Sequence, residues 1–294
     1  MIGQCNLQSR IEQLIKNRTF PRFSILVGPK GSGKKTLAHE IGHMFNAWRV
    51  SSDYVDVYRL PDVKIDTVRE IITQAYKRIT TMVYIIPDAD SMSNAAKNAL
   101  LKVTEEPPNE AYFIMTLEDE SNTLETIRSR ATIFHMDRYT PDELEEYYRN
   151  KFCLSETTID LERKEILIVR ELCSTPGDVE TIMTYDATNF YDYVQLVVDN
   201  ISEVSLANAL KISEKIAMKD EPDKYDLKLF WRAFQSVCID KAGDGIIYCE
   251  YAAITSEYMK KLRIKGINKQ MLFDNWIFTI REIIYDGRRV KSRS

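Results

Sequence analysis

The sequence predicts an α/β fold in which a parallel sheet flanked by helices is followed by a helical C-terminal part. Through residues 1–138, short apolar runs alternate with helical patterns, which is typical of a parallel sheet covered by helices. After residue 139 the apolar spacing is helical throughout. At 294 residues the chain is long for one domain, so we expect more than one.

Composition narrows the class of protein. Hydrophobic residues make up 44% and charged residues 29%, which is ordinary for a globular protein with a real core. The five cysteines show no CxxC or Cys/His spacing, so neither a zinc site nor a disulfide framework is expected. No apolar run reaches membrane-spanning length and no signal-peptide layout is present, so we expect a cytoplasmic protein without a membrane partner. A net charge of -4 argues against coating of nucleic acid by bulk charge.

A phosphate-binding loop is the first motif along the chain. Phe23–Val27 predicts a buried strand and residues 36–45 predict a helix, with G-x-x-x-x-G-K between them. The candidate ligand-binding residues are Gly28, Pro29, Lys30, Gly31, Ser32, Gly33, Lys34, Lys35 and Thr36. The glycines let backbone N–H groups surround an anion, and Lys34 would reach the terminal phosphates. The alternative is a glycine-rich turn without a ligand.

The metal side of this motif is altered at Lys35. The residue after the P-loop lysine is normally Ser or Thr, whose hydroxyl binds Mg²⁺. Lys35 places a cation there instead. Thr36 does not replace it, because one step along a helix turns the side chain by about 100°. Chemistry that depends on Mg²⁺ is therefore not expected.

A second alteration follows the apolar run Met82–Ile86, which predicts a fully buried strand. In a Walker B strand the metal-binding Asp comes next and a catalytic Glu follows it. Here Pro87 takes the first place and supplies no carboxylate, while Asp88 takes the second as a degenerate Walker B residue. A shift of one residue turns a strand side chain to the other face, so Asp88 does not stand in for the missing Asp. Hydrolysis by this chain is not expected.

The remaining N-terminal elements complete the sheet. Further strands are expected at residues 53–60, 111–116 and 132–136, and a helix at 65–78. Thr116 closes its strand, where its hydroxyl would either contact a phosphate or cap the strand. A first C-terminal helix is expected to begin at residue 140, and further helices are expected near residues 158–173, 178–185, 191–199, 206–218, 224–240, 245–262 and 269–285. Aromatic residues recur in them, and helix-packing core is the preferred interpretation: Phe230, Trp231, Phe234, Tyr248, Tyr251, Trp276 and Phe278.

Several segments occur in a specific order. They are Met-Ile-Gly-Gln at 1–4, the P-loop, Val-Tyr-Ile-Ile at 83–86, Asn-Ala-Leu-Leu-Lys at 98–102, Glu-Glu-Pro-Pro at 105–108 and Thr-Ile-Arg-Ser-Arg at 126–130. Together they resemble the AAA+ ATPase domain of sliding-clamp loaders, namely bacterial DNA polymerase III gamma/tau and delta-prime subunits and replication factor C small subunits. The resemblance covers about the first two-thirds of the chain.

The resemblance implies roles for individual residues. Thr116 would be the sensor-1 residue, and Arg130 would be an arginine finger inserted into the ATP site of a neighbouring subunit. Without the surrounding Thr-Ile-Arg-Ser-Arg, Arg130 would be interpreted as a surface arginine paired to an acid. Glu180 stands where the sensor-2 arginine is expected. The zinc insert of many bacterial members is missing, because no cysteine lies between Cys5 and Cys153. These departures match the pattern of the delta-prime stator subunit.

The resemblance also implies an organisation and partners. We expect a AAA+ domain at 1–138, a helical lid at 139–188 and a helical collar for oligomerisation at 189–294. The partners would be other subunits of a DNA polymerase III-type clamp loader, a sliding clamp and primer–template DNA. Static ATP binding and no nucleotide binding both stay open, with no role for Mg²⁺ or zinc. Two other functions stay open as well: an ATP-hydrolysing clamp-loader motor and a small P-loop phosphotransferase.

Overall fold

The computed structural model of the chain describes residues 2–48, 54–108, 111–152, 159–201, 205–219, 221, 224–262, 264 and 266–291. Within it the chain forms two compact units. The first comprises Met1–Glu143 with Thr175–Gly177, and the second comprises Leu144–Ser174 with Asp178–Ser294. The division into three domains at residues 138 and 188 stays a prediction.

The first unit is built on a five-stranded parallel sheet. Its strands are β1 Phe23–Val27, β2 Asp56–Arg59, β3 Met82–Ile86, β4 Ala111–Leu117 and β5 Thr132–His135. They lie in the order β2-β3-β4-β1-β5, and every neighbouring pair is parallel. The predicted parallel sheet is confirmed. Residue 53, where the prediction began the second strand, lies outside the described residues.

Helices cover both faces of this sheet. They are α1 Cys5–Lys16, α2 Lys34–Ala47, α3 Ile65–Lys77, α4 Asn94–Glu105 and the short α5 Glu125–Arg128. Because strand side chains alternate between faces, neighbouring residues such as Ile85 and Ile86 enter different hydrophobic cores. Ile85 packs with residues of α1 and α2, and Ile86 packs with residues of α3, α4 and α5. This two-sided burial explains why β1, β3 and β4 are mostly apolar runs.

The second unit is mainly helical. Its helices are α6 Pro141–Phe152, α7 Ile159–Leu172, α8 Pro176–Thr184, α9 Ala187–Asn200, α10 Leu206–Leu210, α11 Leu227–Asp240, α12 Ile246–Lys261 and α13 Lys269–Lys291, of which α6 and α8 begin with residues of the first unit. Residue 158, the predicted start of α7, lies outside the described residues. Among the described residues, no helix combines the length and the apolar character needed to cross a membrane.

Two details of the helical part differ from the prediction. The expected helix at 206–218 ends at Leu210, and a 3-10 turn leads from it to a two-residue strand, Ile216–Ala217. That strand pairs in parallel with Tyr225–Asp226, and Ile216 is fully buried, so tertiary pairing outweighs local helix propensity. Phe278, expected in the core, is 42% exposed, whereas Phe230, Trp231, Phe234, Tyr251 and Trp276 are buried as predicted.

Candidate functional site

The P-loop connects the end of β1 to the start of α2. Gly31 and Gly33 have φ values of +80° and +87°, the left-handed region that glycine tolerates best. Gly33 is the N-cap residue of α2, so the turn delivers the chain onto a helix N-terminus with its partial positive charge. The Ser32 hydroxyl is buried and has no hydrogen-bond partner in the described part of the chain. This backbone fits an anion.

Lys34, the P-loop lysine, is folded back onto its own loop. Its ammonium group donates hydrogen bonds to the carbonyl oxygens of Gly28 at 2.6 Å and Pro29 at 2.8 Å. Burial lowers the pKa of Lys34, and the nearby carboxylates of Glu118, Asp90 and Asp88 act in the opposite direction. The lysine is therefore occupied by loop carbonyls.

Lys35 and Asp88 meet at the opening of the loop. The Lys35 ammonium group forms an ion pair with the Asp88 carboxylate, and the two side chains are 38% and 63% exposed. Pro87 lies between this carboxylate and the end of β3, and Thr36 is exposed. The Asp88 carboxylate, which follows β3, is thus already paired with the ammonium group of Lys35. The donor set does not fit Mg²⁺, because it offers an ammonium group and a proline where oxygen ligands are needed.

Thr116 lies one strand away, on β4. It is fully buried, and its hydroxyl accepts a hydrogen bond of 2.9 Å from the backbone N–H of Asp88. Asp88 itself has a φ of +48°, which is uncommon for a residue other than glycine. The hydroxyl therefore fixes the turn that follows β3. Of the two predicted roles, this contact is nearer to capping a strand end than to touching a phosphate.

Asp90 lies close to Asp88 and Thr116 and was not among the predicted site residues. Its carboxylate accepts hydrogen bonds from the N–H of Glu118 at 2.8 Å and from the Asn122 side-chain amide at 2.9 Å. The segment between β4 and α5 is thereby tied to the turn before α4. No local sequence signal marks this pairing, since the partners lie about thirty residues apart.

Other contacts to the P-loop were also missed. Gly177 donates from its backbone N–H to the carbonyl oxygen of Gly31 at 3.1 Å, and a Cβ added at Gly177 would lie 2.6 Å from Gly31 Cα. The Tyr139 hydroxyl donates to the Ser32 carbonyl oxygen at 2.9 Å. Carbonyl oxygens on the P-loop are thus paired within the chain. Gly177 could have been singled out, because a glycine after Thr-Pro ends a helical pattern and allows close approach.

Gln4 anchors the N-terminal segment to the chain that follows β5. It is fully buried and pairs with the backbone of Asp137 in both directions, donating to its carbonyl oxygen at 2.9 Å and accepting from its N–H at 2.8 Å. In the sequence, Met-Ile-Gly-Gln at 1–4 is recognisable only as part of a family resemblance. The pairing gives its last residue a structural role.

The carboxylate of Glu180 is paired with neighbouring side chains. Within the second unit it accepts a hydrogen bond of 2.5 Å from the Tyr147 hydroxyl and forms an ion pair with Lys151. These hydrogen bonds, first from Lys151 and then from Tyr147, lower the pKa of Glu180. The residue at the expected sensor-2 position is thus a carboxylate that is neutralised locally.

Arg130 lies just beyond α5, which packs in the first unit. Its guanidinium donates to the Thr126 carbonyl oxygen at 2.8 Å and lies 3.1 Å from a carboxylate oxygen of Glu105. The side chain is 39% exposed, so part of it faces solvent.

Among the described residues, no three His, Cys, Asp or Glu side chains are grouped so that they could hold a metal ion.

Comparisons with known proteins find one family model and several replication proteins to which this chain is similar. The sequence model of one family, described as DNA polymerase III, delta subunit, matches residues 57–140. The replication factor C small subunit of Staphylothermus marinus is 24% identical over 185 residues, which cover 61% of this chain and 54% of that protein. The DNA polymerase III subunit tau of Bacillus subtilis is 25% identical over 162 residues, covering 48% and 29% of the two chains.

One further relative matches over a shorter stretch, and one solved structure was compared by superposition. The DNA polymerase III subunit delta' of Yersinia pestis is 32% identical over 77 residues, which cover 25% of this chain and 23% of that protein. This chain spans 54% of the length of the Staphylothermus relative and less of the other two. A solved DNA polymerase III gamma subunit-related protein of Thermotoga maritima superposes with a TM-score of 0.48 at 16% identity, covering 94% of this chain and 99% of that one.

Proposed function

We propose that this chain is a clamp-loader subunit in DNA replication that does not itself hydrolyse ATP; its similarity to clamp-loader proteins of the AAA+ class supports this. Its role is that of a delta-prime-like stator. It scaffolds neighbouring subunits that hydrolyse ATP and lends one of them Arg130 as an arginine finger. Its partners are those subunits and, through the assembled complex, a sliding clamp and primer–template DNA.

The ion pair between Lys35 and Asp88 carries this proposal. A P-loop ATPase needs Mg²⁺ to bridge the phosphates and to neutralise the charge that develops during transfer. The hydroxyl that would bind the metal is replaced by an ammonium group, and the carboxylate after β3 is already paired with it. Pro87 removes the remaining metal-binding carboxylate. Each loss alone damages the site, and they occur together.

Nucleotide binding is a separate matter from hydrolysis. The left-handed glycines, the N-terminus of α2 and the unpartnered Ser32 hydroxyl suit an anion. We therefore propose that ATP, when it binds, is held through the loop backbone without a metal and is not turned over. The chain's residues would bind and orient the phosphates and do no further chemistry.

The finger role is supported by the position of Arg130. The guanidinium is partly exposed at the end of a helical turn that the core holds in place, so a neighbouring subunit can reach it. A guanidinium offers several donors and a permanent charge to a phosphoryl group. The finger acts in trans, and the metal losses at Lys35 and Pro87 leave it untouched.

Hydrolysis assays separate the stator from the alternatives. The purified chain is incubated with ATP and Mg²⁺, alone and with its partner subunits, and released phosphate is measured. We expect no hydrolysis by the isolated chain. Hydrolysis that Lys34→Ala abolishes would identify a motor subunit instead, and transfer of labelled phosphate to a small acceptor would identify a phosphotransferase.

A further inference from the structure

Glu105 and Arg130 form an ion pair at one end of the first unit. The Arg130 Nη2 atom lies 3.1 Å from Glu105 Oε1, and its Nη1 atom donates to the Thr126 carbonyl oxygen at 2.8 Å. The guanidinium is therefore held from two sides, by a carboxylate of α4 and by the backbone of its own segment. Arginine has five N–H donors, so most of them stay available to another ligand.

The carboxylate of Glu105 does not stabilise α4, the helix that carries it. It is the last residue of α4, where the helix dipole is negative and a carboxylate is unfavourable. Pro107 and Pro108 follow, and proline cannot continue a helix, so the end of α4 is fixed at this point. The carboxylate gains its favourable contact from Arg130 rather than from α4.

Glu105 is the last residue of α4 and Arg130 lies just beyond α5, and these two helices pack in the same hydrophobic core. Leu100 and Val103 of α4 lie in the same buried cluster as Ile127 of α5. Before α5, the carboxylate of Asp90 ties the segment that begins at Glu118 to the turn before α4. The segment that carries Arg130 is thus attached near both ends of α4, and this attachment brings Arg130 close to Glu105.

We propose that Glu105 is a positioning residue for Arg130, which holds the guanidinium in the orientation that it presents to a neighbouring ATP site. This inference rests on the proposed finger role. A free arginine side chain samples many rotamers, and fixing it at the moment of reaction lowers the rate. The ion pair orders the side chain in advance. Because both groups are substantially exposed, the pair is weak and yields donors to a phosphate.

The test uses the clamp-loader complex assembled with this chain and its neighbouring subunits. Steady-state ATPase is measured for Glu105→Ala and Glu105→Gln, with Glu106→Gln as the matched control, because it removes the adjacent charge at the same helix end. Glu105→Ala should lower kcat by about 3- to 10-fold with an unchanged KM for ATP. Glu105→Gln keeps an acceptor oxygen at the same place and should lose less, and Glu106→Gln should match the wild-type complex.

The same substitutions in an Arg130→Ala background separate positioning from folding. If Glu105 acts through Arg130, Glu105→Ala has no further effect there, whereas a structural defect would add to the loss. Equal kcat for Glu105→Ala and Glu106→Gln, or a rise in kcat for Glu105→Ala, would overturn the positioning role alone. If Arg130→Ala itself leaves kcat unchanged, the finger role fails and the positioning role fails with it.

Discussion

The ammonium group of Lys35 and the carboxylate of Asp88 pair at the mouth of the P-loop, although 53 positions separate them in the sequence. They meet because β1 and β3 both end at the same edge of the sheet, on either side of β4. The pair joins two altered motifs into one feature. The ammonium group of Lys35 thus lies beside the carboxylate of Asp88, which would otherwise be available to a metal ion.

Lys35→Thr should not create Mg²⁺-dependent ATP hydrolysis. The substitution restores the usual hydroxyl, but Pro87 still supplies no carboxylate to hold the metal. The free energy of unfolding should change by less than ~1 kcal/mol, because the ion pair is exposed. Phosphate release measures the effect on hydrolysis, and urea unfolding measures the effect on stability.

Lys64→Thr, which removes a surface ion pair with Asp62, is the matched control for Lys35→Thr. Turnover that appears with Lys35→Thr and depends on Mg²⁺ would contradict the account.

Gly177→Ala should destabilise the chain by about 1–3 kcal/mol, the usual cost of overpacking. The added Cβ would lie 2.6 Å from Gly31 Cα, a backbone atom with no freedom to move aside. Chemical denaturation monitored by circular dichroism measures the loss.

Gly243→Ala is the control for this substitution. A Cβ at Gly243 meets nothing within 4 Å, and the backbone there needs no positive φ. Its effect should be neutral or a stabilisation of up to about 1 kcal/mol. If the two variants unfold at the same denaturant concentration, the close approach of Gly177 to the P-loop does not exist in solution.

The four cysteines in the described part of the chain should divide into two groups by their reactivity. Burial raises the pKa of the Cys238 thiol to about 12 and also raises that of Cys173, so little reactive thiolate forms at pH 8. Cys5 and Cys249 are exposed. Alkylation by iodoacetamide, followed by peptide mass spectrometry, should modify Cys5 and Cys249 in the folded chain and the buried pair only after urea is added. Rapid modification of Cys238 in the folded chain would show that the α11 core is open.

The sheet was predictable because its central strands β1, β3 and β4 are short, mostly apolar runs separated by helical patterns. Met82–Ile86 and Ala111–Leu117 are buried on both faces, and this burial leaves a continuous apolar signal in the sequence. Lys35 and Pro87 were recognisable as departures because the P-loop and the strand end have fixed residue requirements. These local rules gave the fold and the altered metal ligands.

Other parts of the site depend on contacts between distant segments. Asp90 with Glu118, Gly177 with Gly31 and Glu105 with Arg130 are pairs that no local spacing announces. The strand at Ile216–Ala217 was missed for the same reason, since it exists only through its pairing with Tyr225–Asp226.

The ATPase rate of the assembled complex tests the central claim most directly. Arg130→Ala is compared with Arg128→Ala, which removes a similarly half-buried arginine of α5 whose guanidinium lies 4.0 Å from the Glu125 carboxylate. An arginine finger contributes about 10³–10⁵ in rate, so Arg130→Ala should lower turnover at the neighbouring site by orders of magnitude while the complex still assembles. Arg128→Ala should leave turnover near the wild-type value. Unchanged turnover with Arg130→Ala in an intact complex would contradict the account.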